Sequence, residues 1–262
     1  MRCVFEDTFV ACLGRTTAIA AGALGVLLTA GTGQPVLADE PISQQYEFSA
    51  GAQVATHAWS TYSGLTVAPF GSMLEDGLRL RVVGGYGAYS YSGLRPVGGG
   101  SQLFKFNGTS SFGDLLIGYH QQLGPLTLKV YAGGMATNHV LSPVDPDAEV
   151  IGPGFGAKVA IETWWTISEL AWSSLDLSYG TVHESYASRL RVGWRLTPPV
   201  SVGLEAAAVG DTDGDSGRLG SFVRYEWDGG ELSASAGLMT DWASIQKETH
   251  GGFATISWMN RF

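Results

Sequence analysis

Cysteine is almost missing from this chain. Of 262 residues only two are cysteines, Cys3 and Cys12, both near the start. The rest of the sequence therefore offers no disulfide, no thiolate nucleophile and no Cys-based zinc site. Charge is also scarce, at 15% of residues against a norm of about 25%. Basic residues are the scarcer kind: 15 Lys and Arg stand against 24 Asp and Glu, for a net charge of −9. No basic cluster of the kind that phosphate backbones require is present, so nucleic acid is excluded as a partner. Long apolar runs are lacking too. The longest, Thr16 to Thr29, is short of the ~20 residues a membrane-spanning helix needs. Helical periodicity is absent beyond Gln45.

What the sequence does hold is glycine and aromatics. Gly accounts for 37 residues, roughly twice the usual share, and at that density helices are penalised by about 1 kcal/mol per Gly. Aromatics make up 11%, with eight Trp. Few charges together with ample hydrophobicity exclude a disordered chain.

The first residues read as an export signal. Arg2 and Arg15 give a weakly basic start, the apolar run follows, and Val36-Leu37-Ala38 fits a small-residue cleavage site. We therefore expect a signal peptide over 1–38, a short N-terminal segment over 39–46, and one β-domain over 47–262, reached through the periplasm. Both cysteines fall in the segment removed.

Beyond it the chain alternates with period two, which sends successive side chains to opposite faces of a strand. In Leu78–Val82, leucines and a valine alternate with Arg79 and Arg81. In Ser188–Leu196, Leu190, Val192, Trp194 and Leu196 alternate with Arg189, Arg191, Gly193 and Arg195. The pattern predicts strands over 47–55, 58–69, 76–91, 112–122, 125–139, 151–165, 168–181, 184–197, 199–209, 217–228, 231–242 and 251–262. Twelve is an even number, as closure requires. Tight connections at 123–124, 182–183, 198 and 229–230 contrast with long ones at 92–111, 140–150, 210–216 and 243–251. Short turns on one side and loops on the other are the habit of an outer-membrane barrel.

Three features separate this from a soluble barrel. Strands of this length suit a tilted membrane crossing. The apolar faces end in aromatics at Tyr119, Trp165, Tyr179, Trp194, Tyr225, Trp227, Trp242 and Trp258, as interfacial girdles would. The opposite faces are polar and rich in Gly, where a soluble barrel would need a greasy core. The chain closes on Ile256, Trp258 and Phe262, similar to the terminal signal read by the barrel assembly machinery, with Asn260 interrupting it. The fold class expected is all-β: an antiparallel closed transmembrane β-barrel of about twelve strands, with outer-membrane lipid as its surroundings.

The polar parity then faces inward. It carries Arg79, Arg81, Lys129, Lys158, Arg189, Arg191, Arg195, Arg224 and Arg261, nine of the thirteen basic residues left after the signal. It also carries Glu162, Asp176, Glu205 and Glu226, so the interior is basic by about five charges on this count. Inward aromatics are Tyr89, Tyr91, Tyr131, Trp164 and Trp172. Two readings compete: charges that pair and plug the barrel, or a lumen that binds or passes a polar ligand, with Arg attracting anions and rings stacking on sugars.

Other constellations are weaker. Asp211-Thr212-Asp213-Gly214-Asp215 looks like half a calcium loop, but it lacks the Glu that should stand at the twelfth position. The histidines, His57, His120, His139, His183 and His250, show no metal spacing, and no nucleophile elbow exists. No metal, cofactor or catalytic residue is expected.

Several strings together resemble one family. They are Tyr62-Ser63-Gly64-Leu65, Asp76-Gly77-Leu78-Arg79-Leu80-Arg81, Gly84–Tyr91, Ile117-Gly118-Tyr119, His139–Asp147, Gly154–Lys158, Glu162-Thr163-Trp164 and Ser178–Thr181. In this order and spacing, over about residues 47–262, the chain resembles the cellulose biosynthesis protein BcsS family of alphaproteobacteria. The resemblance implies an outer-membrane protein linked to cellulose production, with cellulose or cellulose-synthesis components as partners, and no known catalytic residue. Three functions follow: a non-enzymatic barrel assisting biosynthesis, export or surface retention of the polymer; a small general porin with a basic lumen; or an outer-membrane hydrolase of lipid or glycan.

Overall fold

A computed structural model describes residues 44–241 and 250–262. The expected signal segment and Trp242 lie outside these residues. Twelve strands form the fold: β1 (Tyr46–Ala55), β2 (Ala58–Val67), β3 (Gly77–Val97), β4 (Gly100–Leu123), β5 (Leu126–Ser142), β6 (Gly152–Thr166), β7 (Ala171–Gly180), β8 (Tyr186–Thr197), β9 (Val200–Asp211), β10 (Gly214–Trp227), β11 (Gly230–Asp241) and β12 (His250–Arg261). Each pairs antiparallel with its sequence neighbours, and β1 pairs with β12, from Glu47↔Arg261 to Ala55↔Phe253. The sheet closes on itself.

β1 begins and β12 ends at the same rim, called here the proximal end; the opposite rim is distal. The expected faces hold. Leu80, Ile117 and Leu204 are exposed on the outside, and Val192 shares that face, while Arg79 and Arg191 are buried within. Exposed apolar side chains on a closed sheet suit lipid, which solvates apolar groups but leaves backbone groups to pair among themselves. The outward aromatics gather at the two rims. Proximally, Phe48 lies 5.8 Å from Trp258 and Tyr225 6.1 Å from Trp227. Asn260, the apparent flaw in the C-terminal pattern, accepts a 2.9 Å hydrogen bond from the Trp227 indole N–H. Distally, Trp59 lies 5.9 Å from Tyr86, a pair that the sequence reading did not single out.

Two expected loops are strand instead. Residues 92–111 continue β3 and β4 into a hairpin that turns at Gly98–Gly99, both with positive φ. β2 pairs with β3 only as far as Tyr89, so the hairpin's tip stands clear of the barrel wall. Residues 210–216 narrow to a two-residue turn, with Gly214 facing Asp211 across it. The alternation in both stretches is diluted by Ser and Gly, which hides a strand from a hydrophobicity pattern.

The glycine excess has a packing reason. Inward rings lie flat against the wall, and the residue beneath must lack a Cβ. A Cβ on Gly193 would come within 2.4 Å of the Trp172 ring, and one on Gly118 within 2.4 Å of Tyr131.

Candidate functional site: a blind lumen

The inside of the barrel is divided along its axis. The distal part is filled with apolar side chains. Tyr89, Tyr91 and Phe106 pack with Leu141, Met239 and Phe253; Tyr91 and Phe106 stack at 5.0 Å. Over this cluster runs the β5–β6 connection, residues 143–151. One side of it is held by β3: Tyr91 Oη donates to Asp145 Oδ2 at 2.8 Å and Arg95 Nε to Asp145 Oδ1 at 2.6 Å. The other is held by the β9–β10 turn, where the Asp213 carboxylate accepts from the backbone N–H of Glu149 at 3.1 Å and of Val150 at 3.2 Å. β3 and β9 stand on opposite sides of the ring, so the segment crosses the mouth.

Asp145 and Arg95 lie beyond the membrane-crossing part. Burial alone would raise the Asp145 carboxyl, but hydrogen bonds from Arg95, Tyr91 and the Asp147 N–H outweigh it and hold Asp145 below the usual carboxylate range. Asp213 and Asp211, expected at most to suggest calcium, serve as local acceptors: Asp211 Oδ1 takes the Asp213 N–H at 2.7 Å. Among the described residues no group of His, Cys, Asp and Glu could hold a metal ion.

The proximal part holds a cavity of about 560 Å³. Its lining reaches the rim at Gln122, Thr127, Arg195 and Glu226 and ends at Tyr62, Asp114, Lys158 and Ala187, short of the aromatic cluster. Among the described residues the cavity is thus blind: it opens toward the proximal end, and the aromatic cluster and the 143–151 segment lie across its distal side.

Its walls are cross-linked by charge. Arg81 on β3 forms a bidentate pair with Glu162 on β6 and donates to Tyr131 Oη at 2.9 Å. Lys129 lies between Glu162 and Glu47, 3.8 and 3.9 Å away, and Arg261 reaches Glu47 at 2.9 Å. Lys158 and Asp114 pair at 3.0 Å, both almost fully buried. Arg189 pairs with Asp176 at 2.8 Å, and Arg224 with Glu231 and Glu226. Glu205 accepts from Ser235 Oγ at 3.3 Å.

The expected basic excess shrinks on this accounting. Glu47, Asp114 and Glu231 also face inward, none of them among the inward acids named from the sequence. Arg218 faces inward as well, donating to Gln53 at 2.7 Å. The inward set still leans basic. Arg79 has the inward parity but plays another part. Completely buried, it donates to the carbonyls of Ser72, Met73 and Glu75 and meets His120 Nδ1 at 3.1 Å. It fastens the 68–76 connection over the proximal rim.

The inward aromatics also separate. Tyr89 and Tyr91 belong to the distal seal, not to the cavity. Tyr131 is buried under the Arg81 guanidinium, 3.9 Å from its ring. Trp172 is fully buried, donating to Ser201 Oγ at 3.3 Å, so it cannot itself meet a ligand. Trp164 lines the cavity and stacks on Trp172 at 4.1 Å. Arg224 lies 4.5 Å from the first ring and 5.2 Å from the second. Those distances place it beside the stack, not across the outer face of Trp164.

Two of the histidines are engaged locally. His120 is taken up by Arg79 and the Glu75 carbonyl. Ser110 Oγ meets His139 Nε2 at 3.3 Å, but both are buried away from the cavity lining.

A family model described as cellulose biosynthesis protein BcsS matches residues 48–260. No curated protein matches. Among solved structures the chain is similar to a KdgM porin, at 7% identity and TM-score 0.44, covering 82% of this chain and 99% of that one. It is similar to the transport unit of the autotransporter AIDA-I from Escherichia coli, at 9% identity and TM-score 0.48, covering 87% and 93%. The translocator domain of NalP from Neisseria meningitidis follows at 10% identity and TM-score 0.47, covering 85% and 90%.

Proposed function

The chain belongs to the cellulose biosynthesis protein BcsS family, and from that premise we propose that it is a non-enzymatic outer-membrane barrel that assists production of an exopolysaccharide, cellulose, by holding it or its synthesis components at the periplasmic face. Export brings it to the periplasm, where the signal peptide is removed over 1–38 and the barrel assembly machinery inserts the closed sheet into outer-membrane lipid. The proximal end, where β1 begins and β12 ends, then faces the periplasm.

The observation that carries this reading is the blind cavity. A conduit for a glucan chain needs a continuous bore, and here the distal half is filled and strapped. A holder needs only an open end and a surface that sugars recognise. The free face of Trp164 is such a surface, because the apolar face of a pyranose packs against an aromatic ring and indole offers the largest. Arg, Glu and Asp around it supply the polar contacts that orient a sugar's hydroxyls.

The test is deletion in a cellulose-producing host, with secreted and cell-bound polymer measured separately by dye binding. Less cell-bound polymer is expected. Unchanged amounts in both fractions would defeat the proposal. A small general porin is the alternative, and it requires steady conductance in planar bilayers, which the sealed distal half speaks against.

A further inference from the structure

Arg191 stands apart from every other cation in the cavity. It projects from β8 into the lumen at 8% exposure. Its neighbours Arg189 and Arg224 have carboxylate partners, and Arg195 donates to the Glu169 carbonyl at 3.0 Å. Among the described residues Arg191 has neither an ion pair nor a hydrogen bond, and its Nε is buried without a partner. The carboxylates around it are engaged elsewhere: Asp176 by Arg189, Glu231 by Arg224, Glu205 by Ser235.

What touches Arg191 is aromatic. Its guanidinium carbon lies 5.9 Å from the Trp172 ring and 5.6 Å from Phe222. Cation–π attraction helps to hold the charge. It leaves the Nε–H buried without an acceptor and the terminal N–H groups without a protein acceptor in the cavity. A buried guanidinium in that condition is costly, and an oxyanion presenting two oxygens to the fork would relieve it.

Trp172 links this cation to the sugar platform, since it also stacks on Trp164. We propose that the lumen is selective for an anionic saccharide: a pyranose lies on Trp164 while its carboxylate or phosphate substituent is taken by Arg191. The proposal rests on the reading of Trp164 as a saccharide platform, and it adds that unmodified glucan is the poorer ligand.

The experiment uses the full mature chain folded in detergent, with binding followed by titration calorimetry. Probes are cellotetraose, its derivative oxidised to a carboxylate at C6, its 6-phosphate, and acetate and inorganic phosphate alone. Gel mobility with and without heating verifies that each variant folds. One or both charged tetrasaccharides should bind at least about tenfold more tightly than cellotetraose, as a bidentate charge-assisted pair warrants. Their ranking identifies the oxyanion. Arg191→Gln should remove that preference, bringing the charged tetrasaccharides to the level of cellotetraose. Arg191→Lys, which keeps the charge but not the fork, should restore it only in part. Trp164→Ala should weaken all three saccharides.

Equal binding of charged and neutral tetrasaccharides overturns the anionic specificity and leaves the holding function standing. Absence of binding by any saccharide overturns both. A preference that survives Arg191→Gln assigns the site elsewhere and overturns this one. Acetate or phosphate bound as tightly as the charged sugars, and indifferent to Trp164→Ala, overturns the saccharide in favour of a free anion.

Discussion

The two halves of the lumen solve the same problem in opposite ways. Both must fill a ring of twelve strands that is too wide to be left empty at both ends. The distal half does so mainly with rings and aliphatic chains, among which Arg218 lies 5.6 Å from the Phe253 ring and donates to Gln53. The proximal half does so with guanidinium, ammonium and carboxylate groups that pair across the bore and leave room between them. Apolar filling excludes water and ligand together. Charged filling tolerates water, and where one cation is left over it invites a ligand. The comparison teaches that polarity inside a barrel is not in itself evidence of a channel, since the charged half here is the open half of a closed vessel.

The boundary between the halves offers the hardest test. Lys158 and Asp114 pair at 3.0 Å where the cavity ends, both nearly excluded from solvent. Replacing one partner strands the other charge beneath the distal seal. Lys158→Met is expected to destabilise the barrel by about 3–5 kcal/mol, while adding Asp114→Leu should recover most of the loss. Urea unfolding of the protein in vesicles measures both. If the single variant costs under about 1 kcal/mol, the pair is wetter than its burial implies and the boundary is not sharp.

Much of this was legible in the sequence, for an identifiable reason. A strand's side chains alternate strictly, so Leu78, Leu80 and Val82 fix the side on which Arg79 and Arg81 must lie, and every inward cation named from the pattern is inward. Parity says nothing about depth along the axis or about partners across the bore. Tyr89 and Tyr91 shared the parity of Trp164 but belong to the seal. Glu231 was not named among the inward acids because it opens its strand directly after Gly229-Gly230, although Leu232-Ser233-Ala234-Ser235 after it continues the alternation. Asp114 was hidden because Leu115, Leu116 and Ile117 blur the two faces. The strap over 143–151 had no local signal at all: its anchors, Tyr91, Arg95 and Asp213, are distant in sequence and meet only after closure.

Breaking the strap should change what the halves do rather than whether they form. Asp213→Ala removes both acceptors for the Glu149 and Val150 N–H groups. A loss of about 1–3 kcal/mol is expected there, the cost of leaving such donors unmet. The measured effect should be intermittent conductance in planar bilayers, silent in the parent protein. Continued silence would place the seal in the aromatic cluster alone.

Acid should loosen the same strap from its other anchor. Asp145 has its pKa depressed in the folded state by Arg95 and Tyr91, so its contribution is fully present above the ordinary carboxylate pKa and is lost as pH falls through the depressed value. Conductance bursts should therefore appear only as the distal compartment is acidified well below the ordinary carboxylate range, and vanish on return to neutrality. Asp145→Asn should show them at neutral pH, with no further response to acid.

The smallest effect separates this anchor from the charge beside it. Asp147 also meets Arg95, at 3.1 Å, but its side chain is 55% exposed where that of Asp145 is fully enclosed. Water competes for an exposed carboxylate, and such a pair contributes ~0–1 kcal/mol at most. Asp147→Asn should thus leave bilayer silence, unfolding midpoint and acid response as they are in the parent. The two positions differ by two residues, share one arginine and carry the same charge. If Asp147→Asn opened the mouth as Asp145→Asn does, the seal would depend on net charge at the hairpin, and the enclosure of Asp145 between Arg95 and Tyr91 would not be what shuts the distal half.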